Sequence, residues 1–384
     1  MKSVKLGEIG KIITGCTPLT KKSEYYADNK YMFVGPSDIK KVMYVVSSEK
    51  NISEKAFEDY KNRFIEENSI VVDCIGSDMG NVAIVKSKCL TNQQINAIIN
   101  IDEECYNIKY IYYVLSTMKK YFHLIGTNGS TMPILNKTMF ENIEVEIPKI
   151  EIQNKIAKIL SKLDDKIKLN NEINNNLYEL MKIKFNNYID NLEEYEESVL
   201  SKIANYKNGL AMQKFRPIDE IGLPVIKIKE MNSGITSETE RCRSDIDKDV
   251  IIDNGDILFA WSGTLCMSIW CEGRAGLNQH IFKVTSDKYP KWFYYFWTLK
   301  YLDNFIEIAA GKATTMGHIK RTELDKAIVK IPDEKVMEKM DKIFTPMLNE
   351  YVNNSVESNN LSELRDTLLP KLIDGEIDLD NIEI

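Results

Sequence analysis

Residues 150–184 read IEIQNKIAKILSKLDDKIKLNNEINNNLYELMKIK, and their spacing decides the architecture. Ile152, Ile156, Ile159, Leu163, Lys166, Asn170, Ile173, Leu177, Leu180 and Lys184 step by alternating four and three residues. That step places one stripe of side chains along a helix, as at the seam of a coiled coil. About 37 such residues at about 1.5 Å each span roughly 55 Å. Adding 184 to each number gives Val336, Met340, Ile343, Met347, Glu350, Asn354, Glu357, Leu361, Leu364 and Leu368, so a second stretch carries the same register.

The correspondence extends to the whole chain. Val4-Lys5-Leu6-Gly7-Glu8-Ile9, ending at Gly15, matches Ser198-Val199-Leu200-Ser201-Lys202-Ile203, ending at Gly209. Thr91-Asn92-Gln93-Gln94-Ile95 matches Leu277-Asn278-Gln279-His280-Ile281, and Lys109 to Tyr113 matches Lys291 to Tyr295. Ser130-Thr131-Met132 matches Thr314-Thr315-Met316, and Ile147-Pro148 matches Ile331-Pro332. The order is collinear, so the sequence is a tandem duplication.

Within each half, short β-branched runs such as Ser69-Ile70-Val71-Val72 and Asp256-Ile257-Leu258-Phe259 are separated by Gly, Asn and Asp turns, and a helical stretch follows. Each globular part is therefore expected to be α+β. The expected domains are 1–150, a first long helix over 151–192, a second globular domain over 193–332, a second long helix over 333–373 and a tail over 374–384. The second globular part starts where the first helix ends and finishes where the second begins. A compact chain then brings the helices together as an antiparallel coiled coil with an approximate two-fold axis. Asn170 and Asn354 occupy equivalent seam positions near mid-helix, where a buried polar residue fixes register; exposure within an Asn-rich stretch is the plainer alternative.

Over 384 residues the formal charge is −7, which taken whole opposes a nucleic-acid partner. Counted by segment, residues 1–150 carry +1 and 198–332 carry +3, whereas 151–197 carry −3 and 333–384 carry −8. The acidity thus lies on the helices and tail. Seven scattered cysteines form no Cys-x-x-Cys pair and read as buried free thiols. His123, His280 and His318 lack partners at ligand spacing, so no metal site is expected. No stretch reaches the roughly 18 apolar residues of a membrane span, and a cytoplasmic protein is expected.

Together these features resemble the specificity subunit of Type I restriction-modification systems. The resemblance covers essentially the whole chain. It is carried by the Gly15-Cys16-Thr17-Pro18 turn, the Asn92-Gln93 and Asn278-Gln279 elements, and the Ile-Pro junctions into long helices. Leu163-Asp164-Asp165-Lys166-Ile167 with Asn170-Asn171, and Leu364 to Leu372 followed by Gly375-Glu376-Ile377, are similar to the family's spacer helix and usual ending. Two departures stand out. Ile152-Gln153 replaces a Glu-Gln pair and the second junction, Pro332-Asp333-Glu334, lacks the Gln; the second copy also has Ala211-Met212 for the Thr-Pro turn. The resemblance implies a non-catalytic reader of double-stranded DNA. Each globular part would be a target recognition domain for one half of a split sequence, with the helices as a ruler. Two methyltransferase subunits would dock, holding S-adenosylmethionine and carrying out the adenine methylation that this chain directs; restriction translocase subunits would join the fuller complex. This chain itself would bind no cofactor.

Base readout needs Asn, Gln, Arg or Lys on turns facing a groove, with further cations and hydroxyls on phosphates. The first domain offers Lys21, Lys22, Tyr25, Asn92, Gln93, Gln94, Thr127, Asn128, Ser130 and Thr131. The second offers Gln213, Lys214, Arg216, Trp261, Arg274, Gln279, His280, Lys312, Thr314, Thr315, Lys320 and Arg321. For any one of them an ordinary exposed side chain is the plainer reading. The Asn-Gln elements, being repeated, are expected to orient backbone more than to read bases. The aromatics of 110–113 and 292–297 are expected in helix cores. No phosphate loop, Asn-Pro-Pro-Tyr or Asp-Pro-Pro-Tyr motif, or supported Ser/His/Asp arrangement is present, which opposes an enzyme. A scaffold gripping proteins or sugars at its ends is the remaining alternative.

Overall fold

The computed structural model describes residues 1–127, 132–217, 222–311 and 317–379. The chain forms two compact units, one made of 1–163 with 364–384, the other of 164–363. Each unit therefore takes one globular part and one end of both long helices, Ile150–Asp190 and Glu334–Ile373.

Among the described residues the first globular part has ten strands: β1 (Lys2–Lys5), β2 (Lys11–Thr14), β3 (Tyr31–Val34), β4 (Tyr44–Val45), β5 (Lys50–Ile52), β6 (Ile70–Asp73), β7 (Val82–Val85), β8 (Cys89–Thr91), β9 (Ile95–Ile99) and β10 (Glu144–Ile147). They form sheets ordered β2-β9-β6-β7-β4 and β5-β3-β8, with β1 paired to β10. The second part repeats the plan. Its strands are β11 (Glu196–Val199), β12 (Asn205–Asn208), β13 (Leu223–Ile226), β14 (Arg241–Cys242), β15 (Ile251–Ile252), β16 (Ile257–Ala260), β17 (Cys266–Ile269), β18 (Ala275–Leu277), β19 (Ile281–Thr285) and β20 (Ile328–Ile331). They form sheets ordered β12-β19-β16-β17 and β14-β13-β18-β15, with β11 paired to β20.

The central strands are covered on both faces: β6, β7 and β9 are buried at every residue. One face packs on the other sheet, the opposite face on helices Ile108–Thr117 and Lys119–Gly126, or Lys291–Lys300 and Leu302–Ala310. The expected aromatic helix cores are present: Tyr110 and Tyr113 are buried, as is every residue from Trp292 to Trp297.

Both long helices pair antiparallel. In the first unit Ile156, Ala157 and Leu160 share a core with Leu372 and Leu379, and Lys155 Nζ donates to the carbonyl of Leu379 at 2.9 Å. In the second, Met181, Phe185 and Ile189 share a core with Met340, Phe344 and Leu348. The seam differs from the spacing read above. Leu180 and Leu364 are 44% and 46% exposed, and Lys166, Glu350 and Glu357 are exposed, whereas Leu160, Met181, Phe185, Phe344 and Leu348 are buried. A strict heptad drifts by about 20° per repeat on a straight helix. Here the buried stripe follows the helix itself: Asn170 and Met181, like Asn174 and Phe185, are three turns apart, so an observer counting by sevens slips onto the neighbouring face.

Asn170 and Asn354 are both buried within the second unit. Asn170 Nδ2 donates to Glu357 Oε2 at 2.7 Å and reaches the Asn354 carbonyl at 3.4 Å, while Asn354 Nδ2 donates to Asn174 Oδ1 at 3.1 Å. Asn174 Nδ2 in turn donates to the Tyr351 carbonyl at 3.0 Å and Ser355 Oγ at 2.9 Å. An axial slip would break several of these bonds at once, leaving buried amides unpaired.

Aromatic stacking dominates the other end of that pairing: Phe185 lies 5.4 Å from Phe296, and Trp292 4.6 Å from Phe344. Phe185→Ala or Phe344→Ala is expected to cost about 3–5 kcal/mol, read from urea unfolding. Leu180→Ala, at the seam position that the heptad count favours, is expected to fall within about 0.5 kcal/mol of wild type.

Candidate nucleic-acid interface

One loop end of each domain is assembled by the same hydrogen bonds. Gly15 N donates to the Ile95 carbonyl and Gly209 N to that of Ile281, both at 3.0 Å. Cys16 N meets the Thr91 carbonyl at 2.8 Å, and Leu210 N that of Leu277 at 2.9 Å. Asn92 N donates to the Val34 carbonyl and Asn278 N to that of Ile226, at 3.0 and 3.1 Å. The Asn side chains close the turn: Asn92 Oδ1 accepts from Gln94 N at 2.9 Å and Asn278 Oδ1 from His280 N at 3.4 Å. The glycines are required by close approach. A Cβ on Gly15 would lie 2.1 Å from the Asn92 carbonyl, and one on Gly209 2.1 Å from that of Leu277. The asparagines of the Asn-Gln elements thus orient backbone.

Around this shared frame the side chains differ. In the first domain Thr17 Oγ1 donates to Gln93 Oε1 at 2.5 Å, and Asn92 Nδ2 donates to Gln94 Oε1 at 3.1 Å. In the second, Ala211 stands in the place of Thr17, and Gln279 Nε2 lies 3.2 Å from His280 Nε2 instead. There Trp261 stacks on Phe282 at 5.6 Å, with His280 and His318 at 6.0 and 6.4 Å.

The other candidates scatter. Tyr25 is buried in a small separate core with Phe33, Ile52 and Phe64, its hydroxyl donating to Asp59 at 2.8 Å. Lys22 caps that ring at 5.0 Å and lies 3.7 Å from Glu24, and Lys21 is exposed beside it. Gln213, Lys214 and Arg216 are exposed after β12, and Arg274 is exposed before β18. Lys320 is exposed, while Arg321 lies over Phe282 at 5.6 Å and donates to the Tyr206 carbonyl. Asn128, Ser130, Thr131, Lys312, Thr314 and Thr315 lie outside the described residues.

Sequence reading missed Arg63, whose guanidinium donates to the Thr14 carbonyl at 3.4 Å, beside the Gly15 turn. No motif marks it; it ends the short helical turn Lys61–Arg63. It also missed Asp78, which takes both Lys40 and Lys119 at 2.7 Å. Those two ammonium groups hold its carboxyl down at about 2, so part of this cationic charge is neutralised within the domain. Burial pushes the Cys74 thiol up to about 12, the behaviour of an inert core cysteine. Among the described residues no group of three or more His, Cys, Asp or Glu is placed to hold a metal ion. No helix there is long and apolar enough to cross a membrane.

What the geometry defines is a duplicated presenter of polar loop side chains on a constant backbone. The sequence profile of the Type I restriction modification DNA specificity domain matches residues 1–179 and again 192–360, and the chain belongs to that family. It is 26% identical over 414 aligned positions to the Type I restriction enzyme MjaIX specificity subunit of Methanocaldococcus jannaschii, covering 98% of this chain and 94% of that one. Over 161 positions it is 30% identical to the HindI specificity subunit of Haemophilus influenzae, covering 41% of this chain and 35% of that one. A crystal structure of the Type-I restriction-modification system S subunit from M. genitalium shares the fold, with a TM-score of 0.61 and 15% identity over 97% of this chain and 95% of that one.

Gly15→Ala and Gly209→Ala are each expected to lower stability by roughly 1–3 kcal/mol, because the new methyl meets a backbone oxygen that cannot move aside. Gly311→Ala, whose Cβ would meet nothing closer than 3.5 Å, is the control expected to leave the melting temperature unchanged. Calorimetry on the full chain reads all three.

Proposed function

We propose that this chain gives a Type I restriction-modification complex its sequence specificity, each globular domain reading one half of a split DNA target. The observation that carries the reading is the repeated loop frame with dissimilar side chains. A structural repeat would keep both; a reader of two different half-sites keeps the frame and changes what it presents. The weakly basic balance of both globular parts, beside acidic helices, supports the same assignment.

In this reading the chain catalyses nothing and works in the cytoplasm, where the DNA is. Two methyltransferase subunits supply adenine methylation and hold S-adenosylmethionine, and restriction translocase subunits complete the assembly. The first long helix leaves Leu169, Leu180 and Ile183 exposed, a second apolar stripe beside the pairing seam. Such stripes mark protein contacts, and the methyltransferase subunits are the partners that suit this one.

Methylome sequencing of cells with and without the gene tests the reading directly: a split adenine-methylation motif is expected to vanish with it. An unchanged methylome would refute the assignment. The ruler role makes a second prediction. One heptad inserted into each long helix, at the level of Asn170 and of Asn354, adds about 10 Å and is expected to lengthen the unread spacer by roughly three base pairs. The spacer is read from the motifs methylated by the altered complex; unaltered motifs would show that the helices do not set the distance.

A further inference from the structure

The two domains hold one backbone position alike and fill it differently. Gln94 and His280 each follow an Asn-Gln pair, and each amide is bound by the Asn Oδ1 two residues earlier. The Gln94 carbonyl accepts from Cys74 N at 2.7 Å, and that of His280 from Trp261 N at 3.2 Å. The next strand repeats too: Leu135 N donates to the Cys74 carbonyl at 2.8 Å and Ile319 N to that of Trp261 at 3.2 Å. With amide and carbonyl both fixed, only the side chain distinguishes the copies. By strand register Cys74 in one domain is equivalent to Trp261 in the other, and Ile134 to His318.

The donor sets are distinct. Gln94 Oε1 is occupied by Asn92, and its amide hydrogens have no partner among the described residues. In the second domain the Gln279 amide can only donate, so His280 Nε2 accepts and Nδ1 carries the hydrogen. His280 Nδ1 and Trp261 Nε1 are both buried, without a hydrogen-bond partner among the described residues. Buried donors are rarely left unmet, and two in one ring cluster point to an acceptor supplied from outside the chain.

We propose that this position, Gln94 in the first domain and His280 in the second, is a specificity-determining residue of each domain, with Trp261 acting beside His280. The inference rests on the reading of the domains as DNA readers. A half-site base pair offering acceptors on its major-groove edge, such as guanine N7 and O6 or thymine O4, suits the donors of the second domain.

The test uses the whole complex, with its methyltransferase subunits, on a randomised DNA library, comparing wild type with Gln94→His, Gln94→Glu, His280→Gln and His280→Asn. Gln94→Glu is nearly isosteric and exchanges a donor for an acceptor, so it keeps the packing if Gln94→His does not. Each Gln94 substitution is expected to change base preference by about tenfold at one or two adjacent positions of one half-site. Each His280 substitution is expected to do so in the other half-site only. Wild-type preference in all four, or preference lost from both half-sites at once, would overturn the inference while leaving the functional reading intact. A wild-type complex that selects no split motif would instead overturn the functional reading itself.

Discussion

Neither globular part completes its own core. The first closes on residues from the far end of the chain, with Leu372 and Leu379 buried among Val4, Ile156 and Leu160, although more than 200 residues separate them. The second closes on Met340, Phe344 and Leu348 from the start of the last helix. The helices are therefore core elements of each unit before they are anything else. Their pairing is obligatory because each apolar stripe, left alone, would face water, and burying a large side chain is worth about 1.5–3 kcal/mol. A chain cut after the second junction would lose the residues that seal its first domain.

On that base the loop ends can be economical. Two glycines and two asparagines, at equivalent places, fix the backbone with bonds to main-chain groups of the neighbouring strands, which need no particular side chain there. The remaining side chains are then free to differ. Ala211 in place of Thr17 shows how a change propagates: without a hydroxyl to meet it, Gln279 turns to His280, and the aromatic set around Trp261 takes the space. One substitution in the turn thus accompanies a different chemistry two strands away.

The duplication, the α+β character and the antiparallel helices were legible because each leaves a mark in residue order: collinear repeats, β-branched runs between turns, and connectivity. The seam was legible only to within one face, since apolar residues at Ile159, Leu163 and Leu180 widen the stripe beyond what the partner helix covers. Arg63 and the Asp78 ion pairs left no mark, because contacts between residues distant in the chain have no local signature.

The missing glutamine of the second junction has a physical explanation. In the first half Gln153 is buried, accepting the amide of Asn107 at 2.9 Å and donating to the carbonyls of Cys105 and Pro148 at 3.0 and 2.9 Å. It thereby ties the start of the long helix to the residue that caps helix Ile108–Thr117. In the second half the corresponding cap is Pro290, which has no amide hydrogen to satisfy. A glutamine there would bury an acceptor without its donor, and the chain instead places Met337 against the core. Asp333 then takes over the helix start, accepting from Val336 N at 2.8 Å. The two changes compensate, and so the repeat can depart from itself at a junction without altering how the helix leaves the domain.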